Sequence, residues 1–190
     1  FDIDPMAVLI AYAALLHIVE PERVRGKVVD AFDEVLGQGL LEQHKWRVDA
    51  IITNPPFTRW ELLSQKYREK VLSLVSASGY SGYVVRGQLN LAIPSIFVID
   101  RMLKQGGVMI TVLPLSIFYT ESGTGVKKLI LDKYTDVQIV SGNPSFSYGS
   151  GFKEVILKAR KLIARTGEWH IDIVSINDTG RINVEPIYLP

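Results

Sequence analysis

The chain has 190 residues, 47% hydrophobic and 22% charged, enough to bury a substantial core as one domain or most of one. It has no cysteine, which excludes disulfides, thiolate metal sites and a cysteine nucleophile within this chain, and its three scattered histidines, His17, His44 and His170, lack the spacing of metal ligands. Net charge is +1, but residues 1–57 carry five basic against nine acidic residues and residues 58–190 carry sixteen against eleven, and no apolar run is long enough to span a membrane.

In chain order, FDIDP opens with a helix start, Asp4 as N-cap acceptor and Pro5 preset at the first position. The helix is expected from about Pro5 to Val19, with AVLIAYAALLHIV (7–19) buried. KVVDAF (27–32) and WRVDAIIT (46–53) read as strands, and WELLSQKYREKVLSLV (60–75) as an amphipathic helix with Leu62, Leu63, Val71, Leu72 and Val75 on one face. SASGYSGYVVRG (76–87) has no period and reads as a loop. QLNLAIPSIFVIDRMLKQ (88–105) is helix-like, with Pro94 demanding a kink or a late start. Gly106 and Gly107 then make a turn into the strand VMITVLP (108–114). GVKKLILDKY (125–134) is a helix, DVQIVS (136–141) a strand and GNPSFSYGSGF (142–152) a second irregular loop. KEVILKARKLI (153–163), WHIDIVSI (169–176) and RINVEPIYL (181–189) follow as strands. Strands and helices alternate up to residue 141, so the expected fold is α/β with a doubly wound, mostly parallel sheet; the last strands, without helices between them, should be antiparallel.

Ligands of such sheets bind outside the carboxyl ends of the strands, where FDIDP, VDAFD and TNPPF should lie. The stretch VDAIITNPPF (48–57) ends a core strand with an Asn and two prolines, neither of which donates a backbone hydrogen bond. The Asn54 side-chain oxygen and the Pro55 carbonyl are two acceptors on a stiffened loop, able to take both hydrogens of a planar amino group. Holding both N–H bonds favours a nitrogen whose lone pair is localised, which is preorganisation toward charge that develops during reaction. Phe57 offers a flat surface on which a ring can stack, worth roughly 1–3 kcal/mol per base. Such a string can also end a strand with no further purpose, Phe57 capping the core; its rarity directly after a hydrophobic strand favours the functional reading.

VDAIITNPPF resembles the catalytic motif of the S-adenosylmethionine-dependent amino-methyltransferases, especially the N6-adenine DNA methyltransferases. FDIDP is similar to the end of the second strand of that Rossmann-like class I fold. The resemblance implies that Asp2 holds the cofactor's ribose hydroxyls and that Ile3 lies against its adenine. VDAF is similar to the next motif, with Asp30 at the adenine amino group; Ala31 separates it from Phe32, where the family has its aromatic directly after the Asp. The segment LNLAIPSIFVIDRMLKQGGVMITVLPLSIFYTESGTGVKKLIL resembles type I modification subunits and single-chain restriction-modification enzymes. Phe146 in NPSFSYG matches the second aromatic of that group, with Tyr148 and Phe152 as rivals.

The resemblance covers roughly residues 1–165 as a catalytic core, with 166–190 as last strands or the start of a DNA-recognition region. It implies methyl transfer from S-adenosylmethionine to the N6 amino group of a flipped adenine in double-stranded DNA, in a prokaryotic, cytoplasmic restriction-modification system. A specificity subunit or recognition domain is the implied protein partner. Asn54, Pro55, Pro56 and Phe57 are the implied catalytic residues. Methylation at a cytosine ring carbon needs a thiolate, which the chain lacks. The family's Gly-rich loop should precede the ribose-binding acid by about twenty residues. The chain starts at that acid, so the first strand and its loop are expected to be missing from it. Two alternatives stay open: an amino-methyltransferase acting on RNA guanine or protein glutamine, and a non-catalytic DNA-binding or assembly fragment. Lys66, Arg68 and Arg86 flank the loop after NPPF and either touch phosphate or form a solvated face.

Overall fold

A computed structural model describes residues 1–37, 46–85, 90–142, 153–163 and 170–188. Their main elements are α1 (Pro5–Leu15), β1 (Val48–Thr53), α2 (Gln65–Val75), α3 (Ala92–Met102), β2 (Leu103–Pro114), α4 (Thr124–Lys133), β3 (Tyr134–Gly142), β4 (Glu154–Lys161), β5 (His170–Ile176) and β6 (Ile182–Tyr188). The six strands form one sheet in the order β1-β2-β4-β3-β5-β6. β1 and β2 are parallel, as are β3 and β5, while β4 runs antiparallel to both β2 and β3, and β6 antiparallel to β5. Four strands therefore point one way and two the other, so the sheet is mostly parallel, as the alternation predicts. One refinement concerns β4. It is reversed as expected, yet it lies inside the sheet rather than at its end.

Register explains which face is core. Met109 pairs with Ala159, Thr111 with Leu157 and Leu113 with Val155, and Leu157 pairs onward with Ile139. All of these are buried. The apolar ones join one cluster with Ile96, Phe97 and Ile99 of α3 and Val126, Leu129 and Ile130 of α4. Each fully buried large apolar side chain contributes roughly 1.5–3 kcal/mol relative to exposure. Val108, Ile110 and Val112, which alternate with the core residues of β2, are only half-buried.

The helices begin where their caps dictate. Asp4 accepts the amide of Met6 and Pro5 opens α1. Ser64 accepts the amide of Tyr67 at 3.3 Å and opens α2. α2 is thus shorter than the periodic stretch, which starts as a separate turn over Trp60–Leu62. Pro94 stands in the first turn of α3, where its missing N–H leaves no bond broken, so the late start is the observed outcome.

Three expectations need correction. The apolar stretch 7–19 is not a buried helix: α1 ends at Leu15 and buries none of its residues, with Leu9 59% and Ile10 64% exposed. KVVDAF is not a strand of its own, because only Val28 bridges, in parallel, to Asp2. Gly106 and Gly107 do not turn the chain into a strand at Val108, because β2 already begins at Leu103, directly after α3. Gly106, at φ +77°, instead sits in an irregularity where the β1 register jumps from Leu103 to Val108. No helix among the described residues is long and apolar enough to cross a membrane.

Candidate active site

β1 pairs in parallel with β2 up to Thr53–Thr111 and then releases the chain into residues 54–58. Pro55 is buried at the loop's root, while Asn54 and Pro56 are exposed and Phe57 is half-buried against the core. Among the described residues the exposed Asn54 side chain makes no hydrogen bond. The far end of the loop is tied down: Arg59 bridges to Asn90, and the amide of Leu91 donates to the Thr58 carbonyl at 3.0 Å. Asn90 itself accepts the amide of Ala92 at the start of α3. A loop stiffened by two prolines is thereby anchored to both a core strand and a core helix.

A second group gathers at the chain's start. Asp2 and Val28 bridge in parallel, the Val29 amide donating to the Asp2 carbonyl at 2.8 Å, so Asp2 and Asp30 end two neighbouring extended segments. Asp2 is exposed, with one carboxylate oxygen accepting the Asp4 amide at 2.9 Å, and Ile3 next to it is 71% exposed. Asp30 is more enclosed. One of its oxygens accepts the amide of Phe32 at 2.9 Å, and the other takes Lys70 of α2 at 2.8 Å. Lys70 also reaches Asp33 at 2.8 Å and lies 4.7 Å from the centre of the Tyr67 ring. Burial, together with the charge of Asp30 and a hydrogen bond to it, pushes the Tyr67 hydroxyl up to about 12. Burial pulls the Lys70 ammonium down, but its bonds to the two carboxylates outweigh this and hold it above its ordinary range.

The residues singled out from sequence therefore separate. Asp2, Ile3 and Asp30 form one group, residues 54–57 another, and α2 connects them by following the loop and reaching back to Asp30. Phe32 is 6% exposed and packs in the core beside Val35 and Leu36, so its ring is not presented to a ligand. Phe146, its rivals Tyr148 and Phe152, and Arg86 and His44 lie outside the described residues. Lys66 is exposed and Arg68 half-exposed on α2. Sequence reasoning missed Lys70 and Tyr67. Their only signal was an i, i+3 pair on an amphipathic helix.

A model of the Eco57I restriction-modification methylase family matches residues 1–147. The chain belongs to that family. No curated protein is significantly similar to it in sequence. Among solved structures, a nuclease-deletion mutant of the Type ISP restriction-modification enzyme LlaGI, in complex with a DNA substrate mimic, superposes with a TM-score of 0.68 at 15% identity. That match covers 98% of this chain and 23% of LlaGI. The methyltransferase subunit of a type I restriction-modification system from Streptococcus thermophilus gives 0.59 at 16% identity, covering 85% of this chain and 32% of the subunit. The M protein of the type I restriction enzyme EcoKI gives 0.56 at 16% identity, covering 92% and 34%. The chain thus spans about a quarter to a third of the length of these proteins. The likeness is one of fold: a Rossmann-like, class I methyltransferase sheet carrying a restriction-modification methylase family sequence.

Proposed function

We propose that this methylase-family chain contributes to methyl transfer from S-adenosylmethionine to the N6 amino group of a flipped adenine in double-stranded DNA. The observation that carries this is the loop after β1. An exposed Asn54, without a side-chain hydrogen bond among the described residues, is followed by a buried Pro55 and a half-buried Phe57 in a chain of this family. Family membership supports DNA methylation in general; the adenine amino group as acceptor rests on the loop.

The groups at the chain's start fit the adenosine half of the cofactor by their chemistry. Asp2 offers a carboxylate with open lone pairs to a ribose diol, Ile3 an exposed apolar surface to a purine, and Asp30 an acceptor to a ring amino group. Phe32 serves as the core anchor of that segment rather than as a contact. When bound, the cofactor supplies an electrophilic methyl group. The Asn54 side-chain oxygen and the Pro55 carbonyl accept the two hydrogens of the target amino group and orient its lone pair, while Pro56 keeps the loop rigid. Phe57, half-buried against the core, stacks on the extruded base. Extrusion costs a few kcal/mol, which stacking of roughly 1–3 kcal/mol partly offsets. Phe146 is the candidate for a second stacking partner. The unit that would do this is residues 1–165, with β5 and β6 continuing its sheet. A DNA-specificity subunit or domain and a cytoplasmic, prokaryotic restriction-modification system complete the reading.

The test is labelled methyl transfer by the full-length protein to adenine-containing duplex DNA, to RNA and to protein. Transfer to DNA is expected, falling by about 10²–10³-fold in Asn54→Ala with binding of DNA retained. Transfer to RNA or protein alone, or equal activity in Asn54→Ala, overturns the proposal.

A further inference from the structure

We infer that Lys70 is a positioning residue for the cofactor's adenine, acting through Asp30 from the helix that follows the target-binding loop. The inference rests on the proposed cofactor role of Asp30 and adds a residue that neither the motifs nor the family likeness supplies.

A carboxylate has about four lone-pair sites. Asp30 already uses two of them, one on each oxygen: on the Phe32 amide at 2.9 Å and on Lys70 at 2.8 Å. One acceptor direction is left on each oxygen, and these two donors fix where they point. Lys70 is itself fixed from three sides, by Asp30, by Asp33 at 2.8 Å and by the face of Tyr67 at 4.7 Å. Asp30 is 15% exposed and Lys70 36%, so their contact is partly shielded from water, whereas the Lys70–Asp33 contact, with Asp33 at 54%, is a screened surface pair. The well-shielded bond is the one to the proposed cofactor ligand. Lys70 comes from α2, and α2 begins at Gln65 immediately downstream of the 54–63 segment. The same helix therefore takes up the chain from the target-amino loop and aims the acid that reads the cofactor's ring.

The open acceptor directions of Asp30 select a ring amino group over a ring carbonyl, and Lys70 makes that selection sharp. Calorimetric affinities of the full-length protein for S-adenosylhomocysteine and for its inosine analogue, in which a carbonyl replaces the amino group, test this. The unsubstituted protein is expected to prefer the amino form by about tenfold or more. Lys70→Met should reduce that preference below roughly threefold, and Lys70→Arg, which keeps a charged donor, should restore it. Lys70→Gln serves as a second variant should Lys70→Met lower the melting temperature. A full preference in folded Lys70→Met or Lys70→Gln overturns the role of Lys70 alone. Equal affinity for the two compounds in the unsubstituted protein, or no binding of either, overturns the cofactor role of Asp30 itself.

Discussion

Asp100, on α3, is 1% exposed and has four side-chain donors around it. The Tyr80 and Tyr134 hydroxyls donate at 2.7 and 2.8 Å, and Lys133 and Lys161 each stand 3.1 Å away. Burial raises its pKa, but Lys161, Lys133 and the two tyrosines overcome this and hold it below its ordinary value of 3.8. The tyrosine hydroxyls are pushed upward, chiefly by burial and then by the Asp100 charge, so they remain donors. A carboxyl depressed on folding stabilises the protein above its unfolded pKa, and that contribution is lost as pH falls through the folded value. Asp100→Asn, which strands a buried lysine, should cost about 3–5 kcal/mol at pH 7. Its deficit should shrink below about pH 3.8. Urea midpoints of both proteins at pH 7 and pH 3 check this, and a pH-independent difference would refute it. At this scale legibility follows sequence distance. Asn54–Phe57 can be read because the proposed chemistry falls on four adjacent residues. Lys70 and Asp30 are 40 residues apart and Asp100 and Lys161 are 61 apart, so no local pattern announces either contact.

α4 shows how an element is seated. A Cβ on Gly125 would stand 1.5 Å from the Tyr83 carbonyl oxygen, and one on Gly123 1.8 Å from that of Ile117. Both obstacles are backbone, so the first turn of the helix is held where two other turns press on it. Gly125→Ala should therefore destabilise by about 1–3 kcal/mol or more, despite the better helix propensity of alanine. Gly82, whose Cβ would meet nothing within 4 Å, provides the control. Gly82→Ala should stay within about 0.5 kcal/mol, and denaturant titration of the two variants compares them directly. Element types were legible wherever a period ran long enough, as in α2, β3 and β4. The α3–β2 junction was not. Leu103, Lys104 and Gln105 continue the helical composition of α3, yet they belong to β2, where Leu103 pairs with Val48 of β1. The stretch 27–32 misleads for the opposite reason: Val28 has strand chemistry, but its described pairing partner is a single residue, Asp2.

The whole molecule is organised around β2, β4 and β3, each hydrogen-bonded on both sides. Their shared face carries Met109, Leu113, Leu157 and Val137, all at most 1% exposed, whereas every residue of β6 is exposed and α1 buries none. Stability should follow that gradient. In native-state hydrogen exchange the amides of β2 and β4 should be slowest and those of α1 and β6 fastest; slow exchange throughout α1 would contradict it. The alternation of strands and helices made the sheet predictable as a class. Strand order was less so, because the sequence of β4, EVILKARK, does not name its neighbours.

The insertion of β4 has a consequence for synthesis. β2 and β3 are not neighbours, and only β4 joins them. A chain emerging from the ribosome completes β3 at Gly142 but cannot close the gap until Lys161 follows. At ~5–20 residues per second that delay is about one to four seconds. During it the edges of β2 and β3 are both unmet, each a template for another nascent chain. The strand that makes the sheet continuous is thus also the one that covers these two facing edges, and translation speed over residues 143–161 should govern how much protein reaches the folded state.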